Sequence, residues 1–345
     1  MRIKPVILLV GPRPVSINDV GGASALFETI VREITQLRRV SCFVLYYPSS
    51  RDLLIKKAWR LVNLIPKLFS FICRSDVVSV HCSSGLPIVG LISLIICKLF
   101  KKKLILRQFG CPNYNNILAK WAISILKKHC DLILLETQLQ IQSDEIFKGG
   151  NIKWFPNHRP SYIRKKRISE ACKKFVYIGY IHPCKGIYEI LEALKHMKLE
   201  YPVDFYGSIA KEFDREKFLQ NPNIEYKGIL ETYSVYEVLE KYDAILLPSY
   251  CPSEGHPGVI IEALQVSLPV ISTRWRAIPE IVDESCGFLI APKNAMALKD
   301  AMEMLINFKG LYKSLSMGAK QRALEFDSKH WANVFIDYCI EILKD

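Results

Sequence analysis

The sequence predicts an α/β protein of two domains, each a parallel sheet covered by helices. Three observations predict it. The chain has 345 residues, beyond the roughly 100–200 of one ordinary domain. Short β-branched runs alternate with longer helical patterns along its length, the signature of parallel α/β architecture. Midway, residues 157–174 interrupt that rhythm with Pro160, a basic run at 164–167 and no periodic apolar face. Half of the residues are hydrophobic, with 16 Phe, 16 Tyr and 5 Trp, enough for two cores and incompatible with disorder throughout.

The first apolar run, 6–10, imitates a secretion signal because basic residues precede it. It is short, starts after Pro5 and runs into polar sequence without a small-residue cleavage site, so it reads as a buried strand. Further strands are expected at 42–46, 77–81, 104–107 and 132–135, near-continuous apolar runs suited to strands covered on both faces. Helices are expected at 23–38, 53–71, 86–101 and 118–129. The stretch 86–100 is the most apolar in the chain but falls short of the roughly 20 residues that span a membrane. It reads as a helix buried against a sheet. A second Rossmann-like unit follows, with strands at 174–178, 203–206, 224–227, 244–248 and 270–272. The domains are therefore set at 1–160 and 168–327. In the last segment, 328–345, Trp331, Val334, Phe335, Tyr338 and Ile342 fall at helical spacing behind a cap at Asp327 or Ser328. This aromatic stripe must be buried, on the second domain or by a return to the first, and periodicity leaves both open.

The net charge is +13 but uneven: residues 1–167 hold 27 Lys and Arg against 9 Asp and Glu (+18), and residues 168–345 hold 20 against 25 (−5). A basic half calls for a polyanion. No nucleic-acid motif accompanies the cations and aromatics are not interleaved with them, so nucleic acid is not expected. An anionic membrane surface fits better. Lys101, Lys102 and Lys103 follow the apolar stretch, and Lys56, Lys57, Arg60 and Lys67 sit among Trp59, Leu61, Leu64 and Phe69 in an amphipathic pattern. An ordinary helix with a solvated basic face fits that pattern equally well. Eleven cysteines, an odd number without CxxC, point to a reducing compartment with neither a disulfide framework nor a zinc knuckle. The expectation is a cytoplasmic protein, peripheral at the inner face of the cytoplasmic membrane.

Neither half shows GxGxxG, which argues against a dehydrogenase-type dinucleotide site. The densest constellation is residues 248–263, PSYCPSEGHPGVIIEA, which leaves a strand and enters a helix near Gly258. Its glycines and prolines pre-order a loop at a helix N-terminus, where free N–H groups and the helix dipole favour phosphate. Glu254 and Glu262 bracket this turn with seven residues between them. A carboxylate accepts two hydrogen bonds and suits a vicinal diol. A solvated loop charge and a dipole-favoured helix residue are their plain alternatives. Lys185, six residues after Gly179 at the end of strand 174–178, is the candidate cation. No D-x-D occurs, with Glu212-Phe213-Asp214 the nearest, so no metal site is expected. Leaving-group charge then falls to Lys185, arginines and the helix N-terminus. Ligands in parallel sheets bind at the carboxyl ends of the strands, and His81, Arg107 and Gln108 stand at such ends in the first half. A structural, buried role suits His81 as well.

The pair Glu254 and Glu262 matches the E-x7-E signature of retaining GT-B glycosyltransferases, and the flanking sequence resembles family 4, the glycosyl transferases group 1. The likeness runs through nearly the whole chain. Gly21-Gly22 resembles that group's N-terminal Gly-Gly loop, Trp154-Phe155-Pro156-Asn157 its interdomain element, and residues 175–194 its GRL…KG stretch. Residues 268–271, residues 287–289 and the final helix also fit. The resemblance implies a GT-B fold, two Rossmann-like domains facing a central cleft, with the final helix crossing back to the first. The first domain would take the acceptor and the second the donor. Lys185 would hold the donor diphosphate, Glu254 the transferred sugar and Glu262 the ribose. Gly21, Gly22, Gly179, Gly255, His256, Pro257 and Gly258 would complete the donor site, and His81, Arg107 and Gln108 would lie on the acceptor side.

The implied activity is retaining and needs no metal or other cofactor. It moves a hexose or N-acetylhexosamine from a nucleotide sugar, UDP-linked, to a cell-surface glycan or lipid-linked sugar. Front-face substitution, in which the donor phosphate helps deprotonate the acceptor, is the mechanism that the family implies. Two departures stand out. Tyr180 occupies the place of the family's GRL arginine, with Arg274, Arg276 or His182 as replacements, and Phe109 occupies that of its HG histidine. A nucleotide-sugar epimerase on the same fold is the alternative enzyme. A membrane or nucleic-acid binding module with a degenerate cleft is the non-catalytic alternative.

Overall fold

The computed structural model describes residues 4–12, 22–47, 54–82, 87–110, 117–143, 151–162, 168–198, 200–231 and 234–344. Gly21, the basic run 164–167 and the side chains of Lys56, Lys57, Trp59, Arg60 and Leu61 lie outside them. The chain divides into two compact units, residues 1–160 with 328–345, and residues 161–327.

The first unit runs β1 (Val6–Pro12), α1 (Gly22–Leu37), β2 (Ser41–Tyr47), α2 (Leu54–Cys73), β3 (Val77–Cys82), α3 (Pro87–Leu99), β4 (Lys103–Gln108), α4 (Ile117–His129), β5 (Leu132–Leu135), α5 (Gln138–Ser143) and β6 (Ile152–Trp154). Its six strands are parallel in the order β2-β1-β3-β4-β5-β6. The second runs β7 (Phe175–Ile178), α6 (Ile187–Lys195), β8 (Val203–Tyr206), α7 (Arg215–Leu219), β9 (Ile224–Tyr226), α8 (Val235–Leu239), β10 (Ala244–Leu247), α9 (Gly258–Gln265), β11 (Val270–Thr273), β12 (Gly287–Ile290), α10 (Ala295–Asn307) and α11 (Lys309–Ala323). Its parallel order is β12-β11-β10-β7-β8-β9. The last helix, α12 (Ser328–Glu341), belongs to the first unit.

Strand periodicity builds the first unit's core in two layers. Leu8, Val10, Val78, Val80, Leu104 and Leu106 point to one face and pack with Leu64, Leu68, Val89, Cys97, Ile123 and Leu126 of α2, α3 and α4. Ile7, Leu9, Val77, Ile105, Leu132 and Leu134 point to the other, against Phe27 and Ile30 of α1 and Trp331, Phe335 and Ile336 of α12. The aromatic stripe of α12 is therefore half the cover of this face. Phe335 is fully buried, 5.9 Å from the Phe155 ring, and Trp331 meets Trp154 and Phe155 edge-on.

Two strands depart from the elements expected. β6 has only three half-buried residues at a sheet edge, too few for a periodic signal. β12 opens on Gly287, where a Cβ would lie 2.0 Å from the Val270 carbonyl oxygen, so a non-β-former begins the strand because backbone passes close by. The stretch 86–100 differs from a fully buried helix. α3 buries Val89 and Cys97 but exposes Ile88, Ile95 and Leu99, the last at 73%. None of the described helices is long and apolar enough to cross a membrane.

Replacing Phe335 by Ala removes the centre of the α12 contact and is expected to destabilise the first unit by about 3–5 kcal/mol. Urea unfolding checks this, and a loss below about 1 kcal/mol would contradict the role given to α12.

Candidate functional site

The order of the second sheet reverses between β7 and β10: from β7 the chain proceeds outward through β8 and β9, and from β10 through β11 and β12. Loops leaving two such strands diverge and open a crevice at their carboxyl ends. Lys185 comes from the loop after β7 and Glu254 from the loop after β10. They meet, with Lys185 Nζ 2.6 Å from Glu254 Oε2. Glu254 is buried, and the Ser249 hydroxyl donates to the same oxygen.

The local sequence explains how the loops meet. After β7, a 3₁₀ turn at Pro183–Lys185 is capped by His182, whose Nδ1 accepts from the Cys184 N–H at 3.1 Å. Gly186 ends it with φ 78°, and a Cβ there would lie 2.2 Å from the Pro248 carbonyl oxygen. Only glycine allows both the left-handed backbone and that approach. The Tyr250 N–H donates to the Cys184 carbonyl at 2.8 Å. Thr273 Oγ1 donates to the Ser249 carbonyl and Trp275 Nε1 to the Cys251 carbonyl, so the end of β11 and the residues after it hold the second loop in turn.

Gly255, His256 and Pro257 are buried behind Glu254, and His256 Nε2 lies 2.9 Å from Glu280 Oε2. Pro257 is the N-cap of α9, no side chain caps its first N–H groups, and no acid lies in its first turn. Gly258 is the first residue of α9 and Glu262 is half-buried in it. Gly179 follows β7, and its N–H donates to the Tyr206 carbonyl at 2.9 Å. The structure thus brings Lys185 and Glu254 into contact and places Gly179, Gly255, His256, Pro257, Gly258 and Glu262 on the elements beside them.

Tyr180 is exposed and stacks on the His182 ring. His182 Nε2 lies 2.9 Å from Glu212 Oε1, while Arg274 and Arg276 are exposed after β11. Asp214 of the EFD segment caps α7 through the Lys217 N–H. Sequence reasoning missed Ser249, which supports Glu254, and Lys293, whose ammonium lies 5.2 Å from the Tyr250 ring centre. Neither carries a motif.

The cysteine arithmetic needs correction. Cys184 and Cys251 form a disulfide, their Cα atoms 4.8 Å apart and 67 residues apart in sequence. The count gave no sign of it, because only the adjacency of β7 and β10 brings the two loops together. Eight other described cysteines are free, and burial pushes the thiols of Cys82 and Cys97 up to about 12. His182, Cys184 and Cys251 would also make a set of soft-metal ligands, their ligand atoms within 4.8 Å of one another, but here the sulfurs bond each other.

In the first unit, Gly22 opens α1. His81 and Arg107 are register neighbours on β3 and β4, and both are buried, as is Gln108. The Arg107 guanidinium lies over Phe155 at 4.4 Å and over Phe109 at 4.9 Å. Phe109 is therefore an apolar wall against a cation. Burial brings the Arg107 pKa down to about 9, with Glu136 opposing and Arg159 adding to the fall.

Alkylation with iodoacetamide and peptide mass spectrometry check the bridge. Cys184 and Cys251 are expected to stay unmodified until a reductant is added, and labelling of both without reductant would contradict it.

Residues 172–307, which contain this site, match the family model described as Glycosyl transferases group 1. TuaC of Bacillus subtilis (strain 168), named as a glycosyltransferase of teichuronic acid biosynthesis, is 33% identical over 127 residues, 37% of this chain and 31% of that protein. A Campylobacter jejuni α-1,4-N-acetyl-D-galactosaminyltransferase, whose name specifies an undecaprenol diphosphate-linked glycan, is 24% identical over 62% of this chain and 61% of its own. The chain thus spans about a third of TuaC and under two thirds of the Campylobacter protein. Among solved structures, Anabaena HepE in complex with UDP superposes with a TM-score of 0.75 at 14% identity, covering 98% of this chain and all of that one. That likeness shows the fold, the two-unit α/β architecture of GT-B glycosyltransferases.

Proposed function

We propose that this chain is a glycosyltransferase of polysaccharide biosynthesis that moves a hexosyl or N-acetylhexosaminyl group from a UDP-sugar to a glycan or lipid-linked acceptor. The observation that carries the reading is the Lys185–Glu254 pair at the switch point of the second sheet, within the segment that matches the group 1 family. The UDP-bound HepE structure and the diphosphate-linked glycan in the Campylobacter enzyme's name support the choice of donor and acceptor.

The chemistry follows from charge. Transfer breaks the bond from the anomeric carbon to the diphosphate and forms one to the acceptor oxygen, so negative charge grows on the leaving phosphate. Lys185 has three ammonium donors and spends one on Glu254, leaving others for the diphosphate. The uncapped N–H groups of α9 add dipolar stabilisation where the reaction develops charge. Glu254 directs its second oxygen to sugar hydroxyls, and Glu262 accepts from the ribose diol. In this reading transfer is retaining, needs no metal, and sends the acceptor's proton to a donor phosphate oxygen.

The first unit is assigned to the acceptor, at the cytoplasmic face of an anionic membrane. Phe69 of α2 meets Phe100 at 5.4 Å between ring centres. Both are exposed, as are Ile88, Ile95 and Leu99 of α3. Lys67 of α2, Lys98 of α3 and Lys101 just after it are exposed as well. Apolar side chains together with ammonium groups are complementary to acyl chains beneath anionic headgroups.

Thermal-shift measurements across a nucleotide panel test the donor site. UDP is expected to raise the midpoint of the wild type, while Lys185→Ala binds it about 10–100-fold more weakly, as for loss of a charge-assisted contact, and Glu254→Ala loses the extra stabilisation that a UDP-sugar gives over UDP. No response to any nucleoside diphosphate would contradict the reading. Flotation with vesicles tests the membrane face. Binding should need anionic lipid, fall with added salt and weaken in an Ile95→Ser, Leu99→Ser double variant, and binding indifferent to lipid charge would overturn it.

A further inference from the structure

Arg107 is buried with its terminal donors unspent among the described residues. It is 1% exposed, and both terminal guanidinium nitrogens lack a hydrogen-bond partner among the described residues. Its neighbour His81 is fully buried, with Nε2 3.1 Å from the Ser79 hydroxyl and Nδ1 without a partner. His158, just beyond β6, is also fully buried, with Nδ1 3.0 Å from the Pro156 carbonyl and Nε2 without a partner. The three lie within each other's fields. Burial first, then Arg107 and His158, hold His81 well below its usual pKa, and burial and Arg107 do the same to His158. The carboxylate whose charge reaches Arg107 is Glu136, and its Oε2 accepts the Gly110 N–H at 2.8 Å.

An interior guanidinium without an acceptor is costly, and an anion that completes it recovers that cost. We propose that Arg107, His81 and His158 form a phosphoryl-binding site at the carboxyl ends of β3 and β4. The hydrogens fit. In the tautomer with the Ser79 hydroxyl donating to His81 Nε2, Nδ1 carries the hydrogen and is a donor with no partner of its own. His158 Nδ1–H donates to Pro156, so Nε2 is a lone pair that accepts from a protonated phosphoryl hydroxyl. The planar fork of Arg107 meets two further oxygens. A planar carboxylate can satisfy the fork, whereas a tetrahedral phosphoryl group offers oxygens in the several directions that side chains from two strands and the segment after β6 require. The rings of Phe109 and Phe155 against the guanidinium keep its charge from water.

Free phosphate and the diphosphate of a lipid-linked acceptor share this chemistry. Assigning the site to the acceptor rests on the proposed transferase reading; the site itself does not. Its test uses the full chain with inorganic phosphate, pyrophosphate and geranyl diphosphate as probes, in thermal-shift titrations against chloride at equal ionic strength. Phosphate should stabilise the wild type and the Lys185→Ala variant alike. Arg107→Gln should weaken phosphate at least about 10-fold, with Arg107→Lys and His158→Gln intermediate, so a misfolded Arg107→Gln protein leaves two variants to decide. Tighter binding of geranyl diphosphate than of pyrophosphate supports the lipid-linked source, and equal binding supports a free anion at the same site. No response to phosphate in the wild type, or a response that Arg107 and His158 variants keep in full, overturns the site. The UDP response is read in parallel, so loss of that response with phosphate binding intact would reject the donor assignment alone.

Discussion

The second unit is organised by one ion pair. Glu254 is buried, and a buried carboxylate is stable only with its charge met. Lys185 meets it, and removing either partner costs more than the pair itself contributes, because the survivor stays desolvated. Much else follows from keeping them in reach. β7 must lie beside β10, Gly186 must take a left-handed turn against Pro248, Ser249 must donate to the same carboxylate, and Thr273 and Trp275 must hold the Ser249 and Cys251 carbonyls. The Cys184–Cys251 bridge joins the same two loops covalently. The result is a cation and an anion fixed beside an uncapped helix N-terminus, an arrangement that neither loop makes alone and that the proposed reading gives to a sugar diphosphate.

The first unit handles charge in the opposite way. Its interior holds a guanidinium with no carboxylate bonded to its terminal nitrogens among the described residues, walled by Phe109 and Phe155, and its exterior exposes both lysines and aliphatic side chains on α2 and α3. The net charge of the chain, +13, averages these two situations with an acidic second half. An interior cation awaiting an anion and a basic apolar surface are separate demands on one domain. The proposed reading meets both with one acceptor, anionic at one end and lipidic at the other.

Much of the fold was legible because buried parallel strands are apolar runs, and those runs are visible one by one. The alternation of Leu8 and Val10 with Ile7 and Leu9 even foreshadows the two core layers. β6 was not legible, since three residues at an edge carry no period, and β12 opens on a glycine chosen for closeness to Val270. The packing of α12 was undecided in the sequence for a physical reason: Trp331, Phe335 and Ile342 declare that they will be buried, not where. At the site, Glu254, Glu262 and Gly258 could be read from spacing, because strand, turn and helix are local. The Cys184–Cys251 bridge, the Ser249 contact and the isolation of Arg107 depend on which strands lie side by side, and no local pattern encodes that.

The central claim is that Lys185 and Glu254 act on one bound diphosphate sugar as a coupled pair. A double-mutant cycle measured by isothermal titration of UDP-sugar into the wild type, Lys185→Ala, Glu254→Gln and the double variant tests it most directly. The account predicts that each single change weakens binding at least about 10-fold and that the double variant loses much less than the product of the two, because groups in contact are not additive. Binding that ignores Lys185, or two losses that multiply independently, would contradict it.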